Sequence, residues 1–153
     1  MQQQGNAISE SQLEALVAAC VKAAEFSYSP YSGYRVGAAL LTDSPEPVII
    51  PGCNVENCTY PDGCCAEKTA IVKAVSEGHR RFLALAVTIA IQGDDHPRMC
   101  GSCRQVVAEF CGDQFPIYLV RYRDRDCQMV RLGDYLPAAF RPSILAQDRS
   151  AAD

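Results

Sequence analysis

Two short segments carry the residue types best suited to chemistry. The first reads CCAE at residues 64–67, and the second reads CGSC at residues 100–103. Close cysteines of this kind can form disulfides, hold a structural metal ion, or hold a catalytic metal ion beside an acid–base group. The rest of the sequence has to distinguish these three possibilities.

The cysteine count argues against a complete disulfide framework. The chain of 153 residues contains nine cysteines, an odd number that cannot pair fully within one chain. Residues 1–10 have no basic start and no apolar run, and the aliphatic stretch at 82–91 has half of the roughly 20 residues needed to span a bilayer. We therefore expect a cytoplasmic, reducing setting without membrane insertion, where close cysteines more often bind metal.

Composition indicates one globular domain of ordinary size. Hydrophobic residues make up 48% of the chain and charged residues 21%, which is typical of a folded domain. We expect a single domain over residues 1–153, with loose ends at about 1–7 and 146–153. The net charge of −4 argues against long nucleic acids as partners, because they are also negatively charged. Small molecules are the expected substrates.

Hydrophobic periodicity predicts the elements that must position the cysteines. Ser9 and Gln12 form a capping box at the start of the first helix. Helices are predicted at 8–27, 65–78 and 100–111, and strands at 35–42, 47–55, 82–91 and 115–122. After a polar turn, residues 128–137 form a further short segment. This order predicts an α/β fold, a three-layer α/β/α domain with a mixed sheet of about five strands.

Both cysteine segments fall where a predicted loop enters a helix. A helix N terminus carries about half a positive charge and unpaired N–H groups, so it favours a thiolate over a thiol. Two such ends facing each other would hold three thiolates around one divalent ion. The candidate ligands are Cys65, Cys100 and Cys103, and zinc is the ion suited to sulfur ligands in a tetrahedron.

The number of ligands decides between a catalytic and a structural ion. Three protein ligands leave the fourth position for water, whose pKa zinc lowers to about 7. Glu67 lies in the first helical turn after Cys65, where it can take a proton from that water. The alternative is a closed structural site with His96 or Cys64 as fourth ligand. The remaining cysteines are interpreted as small buried or half-buried hydrophobic residues: Cys20, Cys53, Cys58, Cys64, Cys111 and Cys127.

Three longer segments carry a more specific pattern. They read YSPYSGYRVGAALLT at 28–42, NVENCTYPDGCCAEKTAI at 54–71 and CGSCRQ at 100–105. Together they resemble the small, all-cysteine-ligand cytidine deaminases of pyrimidine salvage, over about residues 12 to 142. The resemblance identifies Cys65, which precedes Ala-Glu, as the ligand of the cysteine pair. It implies one Zn²⁺ per subunit and hydrolytic deamination of cytidine and 2′-deoxycytidine to uridine and 2′-deoxyuridine, with release of ammonia.

The resemblance also implies a role for each residue of the site. Glu67 would shuttle a proton from zinc-activated water, which attacks C4 as hydroxide, to N3 and to the leaving ammonia. Asn54 and Glu56 would hold the ribose 3′-hydroxyl, which fits the strength of charge-assisted hydrogen bonds to a hydroxyl. The remaining contacts would come from the Ala66 backbone at the base edge, from Tyr34 packed on the base, and from Tyr60 and Phe140 of neighbouring subunits in a homotetramer.

Three departures from the family pattern affect the metal site and the subunit contact. Met99 replaces the usual proline before the second cysteine pair, and Lys68 replaces an arginine that donates to the ligand sulfurs. Because lysine lacks the planar fork of arginine, we expect altered water acidity or weaker zinc retention, with Arg104 as a possible second donor. Arg141 replaces a glycine, which concerns the subunit contact, and the LLPxxF pattern reads YLPAAF at 135–140.

Three other functions compete with nucleoside deamination. The same core could deaminate a cytosine nucleoside antibiotic, although Asn54 and Glu56 favour an ordinary ribose. A polynucleotide-editing deaminase fits poorly with the acidic net charge. A zinc-stabilised RNA-binding module without catalysis would need four protein ligands and would tolerate loss of Glu67.

Overall fold

A five-stranded mixed sheet organises the protein. The computed structural model describes residues 8–145, so the predicted loose ends at 1–7 and 146–153 lie outside the described residues. The strands are β1 (Val36–Thr42), β2 (Ile49–Cys53), β3 (Phe82–Ile89), β4 (Pro116–Arg121) and β5 (Cys127–Arg131), in the spatial order β2-β1-β3-β4-β5. The longer helices are α1 (Glu10–Ala24), α2 (Ala66–Ser76) and α3 (Gly101–Phe110), and the short ones are α4 (Leu132–Tyr135) and α5 (Pro142–Leu145).

Strand direction brings the starts of α2 and α3 to one edge of the sheet. Strand β1 is antiparallel to both of its neighbours, β2 and β3, so β2 and β3 run in the same direction. Helix α2 follows the end of β2, and α3 follows the end of β3 before the chain enters the parallel strand β4. Both helices therefore begin beyond the carboxyl ends of two strands that point the same way.

Helices cover both faces of the sheet. Alternate residues of a strand point to opposite faces. Ala38 and Leu40 belong to the core shared with α2 and α3, whereas Ala39 and Leu41 belong to the core shared with α1. The predicted three-layer α/β/α arrangement is confirmed.

A glycine sets the close approach of α2 to the sheet. A Cβ atom at Gly52 would lie 2.5 Å from the backbone nitrogen of Ala70 and 2.6 Å from the carbonyl oxygen of Ala66. Because no side chain fits in that space, β2 and the first turns of α2 pack backbone against backbone. The start of α2, which carries the first candidate ligand and the candidate acid–base residue, is thereby fixed on the sheet.

The fifth strand is the element that the sequence left without an assignment. In β5 (Cys127–Arg131) two residues are half-buried and three are exposed, and within residues 8–145 the strand pairs with β4 alone. An edge strand with one exposed face and charged residues lacks the continuous apolar run that marks β3. No helix within residues 8–145 is long and apolar enough to cross a membrane.

Candidate active site

Three cysteine sulfurs converge where α2 and α3 begin. The Sγ atoms of Cys65, Cys100 and Cys103 all lie within 4.8 Å of one another. Cys65 is the N-cap of α2 and Cys100 is the N-cap of α3, as the sequence predicts, while Cys103 lies in the first turn of α3. Within residues 8–145 this cluster has three members, and neither Cys64 nor His96 belongs to it.

Helix geometry orients these sulfurs. The Cys100 sulfur accepts a hydrogen bond from the backbone N–H of Cys103 at 3.3 Å, in the manner of a capping side chain. The Cys65 side chain makes no capping bond to α2. Its sulfur is instead directed to the other two cysteines, so the cluster joins the two helix ends.

The electrostatics of the cluster suit a cation. Hydrogen bonds from the Cys103 and Cys100 thiols, together with the charge of Lys68, lower the pKa of Cys65 to about 6. The pKa of Cys103 is raised, because its proton is bonded to the Cys65 sulfur and its side chain is buried. All three sulfurs can be ionised together only beside a positive ion, since the thiolates repel one another. A tetrahedral, sulfur-preferring ion such as zinc fits this donor set.

Glu67 lies beside the sulfurs and is almost completely buried. It occupies the first turn of α2, is 4% exposed, and lines the same cavity as Cys65 and Cys100. Burial raises the pKa of its carboxyl group, and the negative charge of Cys65 raises it further. A carboxyl group whose pKa is raised toward neutrality is suited to take up and release a proton during a reaction.

A single cavity connects this centre with the predicted ribose-binding residues. It has a volume of about 330 Å³, within the range of small-molecule sites. The apolar part of its wall is formed by Val36, Val87 and Ile89, and its polar part includes Asn54 and Glu56. The structure therefore brings Asn54, Glu56, Ala66, Glu67 and two of the three cysteines onto one surface.

The Asn54 side chain is held in a fixed orientation. Its Oδ1 accepts hydrogen bonds from the Ser27 hydroxyl at 2.5 Å and from the Val36 backbone N–H at 2.9 Å. Its Nδ2 donates to the Tyr34 carbonyl oxygen at 2.7 Å. An amide nitrogen carries two hydrogens, so one N–H of Asn54 remains available for a ligand oxygen.

The Glu56 carboxylate is the complementary acceptor. It accepts hydrogen bonds from the backbone N–H groups of Tyr31 and Ser32 at 2.9 and 3.2 Å, and from the Ser32 hydroxyl. The Ser32 hydroxyl, followed by the two N–H groups, lowers the pKa of Glu56. A carboxylate has about four acceptor positions, so it can accept one more hydrogen. Asn54 and Glu56 together can donate to and accept from a single hydroxyl group.

The three predicted aromatic contacts are spread over the surface. Tyr34 and Phe140 are exposed and do not line the cavity. Tyr60, which we expected to reach a neighbouring subunit, is 75% exposed but lies at the mouth of its own chain's cavity. Its ring centroid lies 5.7 Å from that of Tyr31. Within one chain, only Tyr60 of these three residues contacts the cavity.

Arg104, considered as a possible second donor to the ligand sulfurs, makes other contacts in the structure. Its Nε donates to the Met99 carbonyl oxygen at 3.1 Å, and one Nη donates to the Tyr135 carbonyl oxygen at 2.9 Å. These bonds direct the guanidinium group to Met99 and Tyr135, and within residues 8–145 it makes no hydrogen bond to a candidate ligand sulfur. Lys68, half-buried beside Cys65, is the cation whose charge acts on the cluster.

One further sequence interpretation changes in the structure. Cys58, interpreted as at least half-buried, is exposed, whereas Cys20 and Cys111 are buried and Cys53, Cys64 and Cys127 are intermediate. All nine cysteines lie within residues 8–145 and are free there. His96, the alternative fourth ligand, pairs with Asp126 at 3.0 Å and does not belong to the cysteine cluster.

Arg141 turns back onto helix α3. It donates to the carbonyl oxygens of Ala108 and Cys111 at 3.2 and 2.6 Å and pairs with Asp113. These contacts occupy its guanidinium group at the C-terminal end of α3, within its own chain.

Sequence reasoning missed several residues that shape the site. Arg98, an exposed cation two residues before Cys100, lines the cavity. Its closeness in sequence to Cys100 could have indicated that it lies at the site. Ser27 and Ser32 hold the Asn54 and Glu56 side chains from a loop that precedes them by more than 20 positions. No local pattern connects these serines to Asn54 or Glu56.

The chain is similar to proteins of one family. The sequence model described as the zinc-binding region of cytidine and deoxycytidylate deaminases matches residues 10–119. A cytidine deaminase of Sporosarcina psychrophila is 46% identical over 134 residues, covering 88% of this chain and 95% of that protein. One of Halalkalibacterium halodurans is 41% identical, covering 82% and 91%.

A solved structure gives the same result. The crystal structure of cytidine deaminase from Burkholderia pseudomallei superposes with a TM-score of 0.76 at 37% identity, covering 87% of this chain and 100% of that one. Fold, sequence and the placement of the cysteines agree. The chain belongs to the cytidine and deoxycytidylate deaminase family.

Proposed function

We propose that this protein catalyses the zinc-dependent hydrolytic deamination of cytidine and 2′-deoxycytidine, giving uridine and 2′-deoxyuridine with release of ammonia. One observation carries the proposal. The buried carboxyl group of Glu67 and the three-cysteine cluster share a cavity with a hydroxyl-binding pair, Asn54 and Glu56. Acid–base chemistry, a metal-binding set and nucleoside recognition thus lie within one small volume.

Different residues of the chain serve metal binding, proton transfer and recognition of the base. Cys65, Cys100 and Cys103 would hold the zinc ion, which would supply the Lewis acidity that makes a water molecule reactive toward C4 of the cytosine. Glu67 accepts one proton from the attacking water and donates it to N3. It then accepts the remaining proton from the hydroxyl group formed at C4 and donates it to the departing amino group, which leaves as ammonia. The backbone N–H of Ala66, in the first turn of α2 where helix N–H groups lack intrahelical partners, donates to the edge of the base.

Ribose recognition rests on a single hydroxyl. The remaining N–H of Asn54 donates to the 3′-oxygen, and the Glu56 carboxylate accepts the 3′-hydroxyl hydrogen. Loss of that hydroxyl leaves one N–H of the buried Asn54 amide and one acceptor position of the Glu56 carboxylate unpaired. A site built on such groups strongly disfavours an analogue without the hydroxyl. Because the 2′-position is outside this pair, ribonucleosides and 2′-deoxyribonucleosides are both substrates.

The assembly and setting are part of the same proposal. The chain forms one domain over residues 1–153, binds one zinc ion per subunit and assembles into a homotetramer. Exposed aromatic residues support the assembly, since Tyr60 and Phe140 are 75% and 55% exposed. The free cysteines support a reducing cytoplasm, where the reaction serves pyrimidine salvage, and the net charge of −4 supports a small substrate and not nucleic acid.

The first test compares the parent with Glu67→Gln. Absorbance near the cytosine band follows cytidine conversion, and zinc content is measured on the same samples. Because a positioned acid–base group contributes roughly 10²- to 10⁴-fold, we expect the turnover rate of Glu67→Gln to fall by about 10³-fold with zinc content unchanged. The matched control is Glu77→Gln at the other end of α2, which should retain parental turnover.

The outcomes separate the competing functions. A parent that binds zinc but does not turn over cytidine would contradict the proposal, and trials with a cytosine nucleoside antibiotic would then be decisive. Parental activity in Glu67→Gln would remove Glu67 from the mechanism. A fourth protein ligand on the zinc ion, found by X-ray absorption, would favour the RNA-binding zinc module.

Subunit completion is tested by mixing two inactive proteins. Phe140→Ala should lose activity if Phe140 completes a neighbour's site. Co-assembly of Phe140→Ala with Glu67→Gln then creates sites with an intact Glu67 from one subunit and an intact Phe140 from another. Recovery of activity on mixing, together with a tetrameric mass, is expected; no recovery in a verified mixed tetramer would contradict the arrangement.

A further inference from the structure

The residue that precedes Cys100 is held at both of its backbone polar groups. The N–H of Met99 donates to the Tyr135 hydroxyl at 3.0 Å, and its carbonyl oxygen accepts from Arg104 Nε at 3.1 Å. Met99 is only 2% exposed, and its side chain packs in the core between the sheet and the helices α2 and α3. Its position is therefore fixed from three directions.

The two residues that hold Met99 also hold each other. One Nη of Arg104 donates to the Tyr135 carbonyl oxygen at 2.9 Å, and the guanidinium carbon lies 3.7 Å from the centroid of the Tyr135 ring. A guanidinium group stacked on an aromatic face gains a cation–π interaction. Met99, Arg104 and Tyr135 thus form a closed set of contacts, which we call the Met99 clamp.

We infer that Tyr135 and Arg104 are positioning residues for the metal site, which they support by fixing Met99 and thereby Cys100. The inference rests on the proposed function, since it takes Cys100 as a zinc ligand. Within residues 8–145 neither side chain hydrogen-bonds a ligand sulfur, so both act through the backbone. Cys100 follows Met99 directly and caps α3, so a shift at Met99 moves the sulfur.

The chemistry of residue 99 explains why a clamp is needed. A proline at this position would fix φ and would carry no N–H. Methionine frees φ and adds an N–H in a buried place, and a buried donor without a partner is costly. The Tyr135 hydroxyl supplies that partner, which a leucine could not. The departures at positions 99 and 135 are therefore two parts of one arrangement.

The experiment measures zinc retention in Tyr135→Phe, which removes the hydroxyl and keeps the ring for Arg104. Zinc-loaded protein is mixed with a chromogenic chelator, and the release rate is recorded. Because loss of a residue that supports a metal ligand typically costs about 10- to 100-fold in affinity, we expect release to be about 10-fold faster. Hydrogen exchange of the Met99 amide should also be faster. The matched control is Tyr118→Phe, whose hydroxyl makes no hydrogen bond within the described part of the chain.

Rescue separates this role from a general loss of stability. Met99→Pro is introduced into both the parent and Tyr135→Phe. Because it also removes a buried side chain, only the difference between the two backgrounds is interpreted. We expect the substitution to slow zinc release in Tyr135→Phe, where it eliminates the unpaired N–H, but to quicken release in the parent.

Two results would overturn the inference. One is parental zinc release in Tyr135→Phe, and the other is an equal effect of Met99→Pro in both backgrounds. A parent that binds no zinc would overturn the proposed function and this inference with it. A parent that binds zinc and deaminates cytidine, together with an unaffected Tyr135→Phe, would overturn this inference alone.

Discussion

The two ends of the cavity are built on different principles. At the metal end, formed by Cys65, Glu67, Cys100 and Cys103, the functional side chains project from the first turns of two helices seated on the sheet. At the ribose end, formed by Asn54 and Glu56, the side chains are held by hydrogen bonds from the 27–36 loop region. Helix geometry positions the side chains at the metal end. Hydrogen bonds made to the side chains themselves position those at the ribose end.

This difference implies different responses to substitution. Each metal-end side chain has a chemical task that no neighbour can perform, so its loss should abolish zinc binding or turnover. In the proposed function, Asn54 and Glu56 share the binding of one hydroxyl group between them. Their loss should be graded and should appear mainly in kcat/KM with zinc retained.

Replacing a metal-end ligand should have the largest effect. In Cys103→Ser the ligand becomes a hydroxyl that stays protonated near neutral pH and binds zinc poorly. Since metal activation is worth several kcal/mol, we expect activity to fall by roughly 10³-fold or more, with zinc well below one ion per chain. Zinc analysis and the absorbance assay provide the measurement.

Cys111→Ser is the control for that change, because Cys111 is also buried but caps the opposite end of α3. It should lose some stability and retain zinc. Full zinc occupancy in Cys103→Ser would break the distinction between the two ends.

Removing charge at the ribose end should have an intermediate effect. In Glu56→Gln the charge-assisted bond to the 3′-hydroxyl is lost, so we expect kcat/KM for cytidine to fall by about 10- to 100-fold. Zinc content should be parental. The parent should discriminate strongly against 3′-deoxycytidine, and Glu56→Gln should discriminate much less.

The control is Glu46→Gln in the exposed β1–β2 turn, which should behave as the parent does. Selective loss of discrimination at the 2′-position, instead of the 3′-position, would show that Glu56 holds a different hydroxyl.

The metal end could be predicted from sequence because its residues are local. Cys65 and Glu67 lie two positions apart, Cys100 and Cys103 lie three apart, and each pair opens a helix that periodicity predicts. Their convergence follows from a mixed sheet in which β2 and β3 run in the same direction. The short-range pattern indicated the candidate ligands and the resemblance selected Cys65 over Cys64, whereas the shared direction of β2 and β3 is a finding of the structure.

The supports of the site could not be predicted in this way. Ser32 reaches Glu56 across 24 positions, and Tyr135 reaches Met99 across 36. Arg104 was expected at the sulfurs, but its long side chain reaches the Met99 and Tyr135 carbonyl oxygens instead. Such contacts depend on the final packing of loops, which leaves no periodic signal in the sequence.

Weakening a support of the ribose end should have a smaller effect that depends on pH. The Ser32 hydroxyl lowers the pKa of Glu56, so Ser32→Ala should raise that pKa toward its ordinary value. The carboxylate is then protonated at a higher pH, and the acid limb of the kcat/KM profile should move upward in pH. Near neutrality Glu56 stays ionised in both proteins, so we expect only about a 5-fold loss from the missing hydrogen bond.

The measurement is a kcat/KM profile from acidic to neutral pH with zinc occupancy recorded at each point. Ser44→Ala, in the turn between β1 and β2, serves as the control. An unchanged acid limb in Ser32→Ala would show that Glu56 does not set it, and the ribose end would then depend less on this loop than the contacts suggest.

The smallest effect is expected at the end of α3 that lies away from the metal. Arg141→Ala removes the hydrogen bonds to the Ala108 and Cys111 carbonyl oxygens, so we expect a loss of about 1 kcal/mol in the free energy of unfolding. Urea unfolding provides the measurement, with exposed Arg80→Ala as the control. Zinc release should stay at the parental rate if only the first turn of α3 supports the metal end. Zinc release from Arg141→Ala as fast as from Tyr135→Phe would instead mean that the metal end depends on the whole length of α3. The rigidity of the metal end would then be a property of the helix and not of the Met99 clamp.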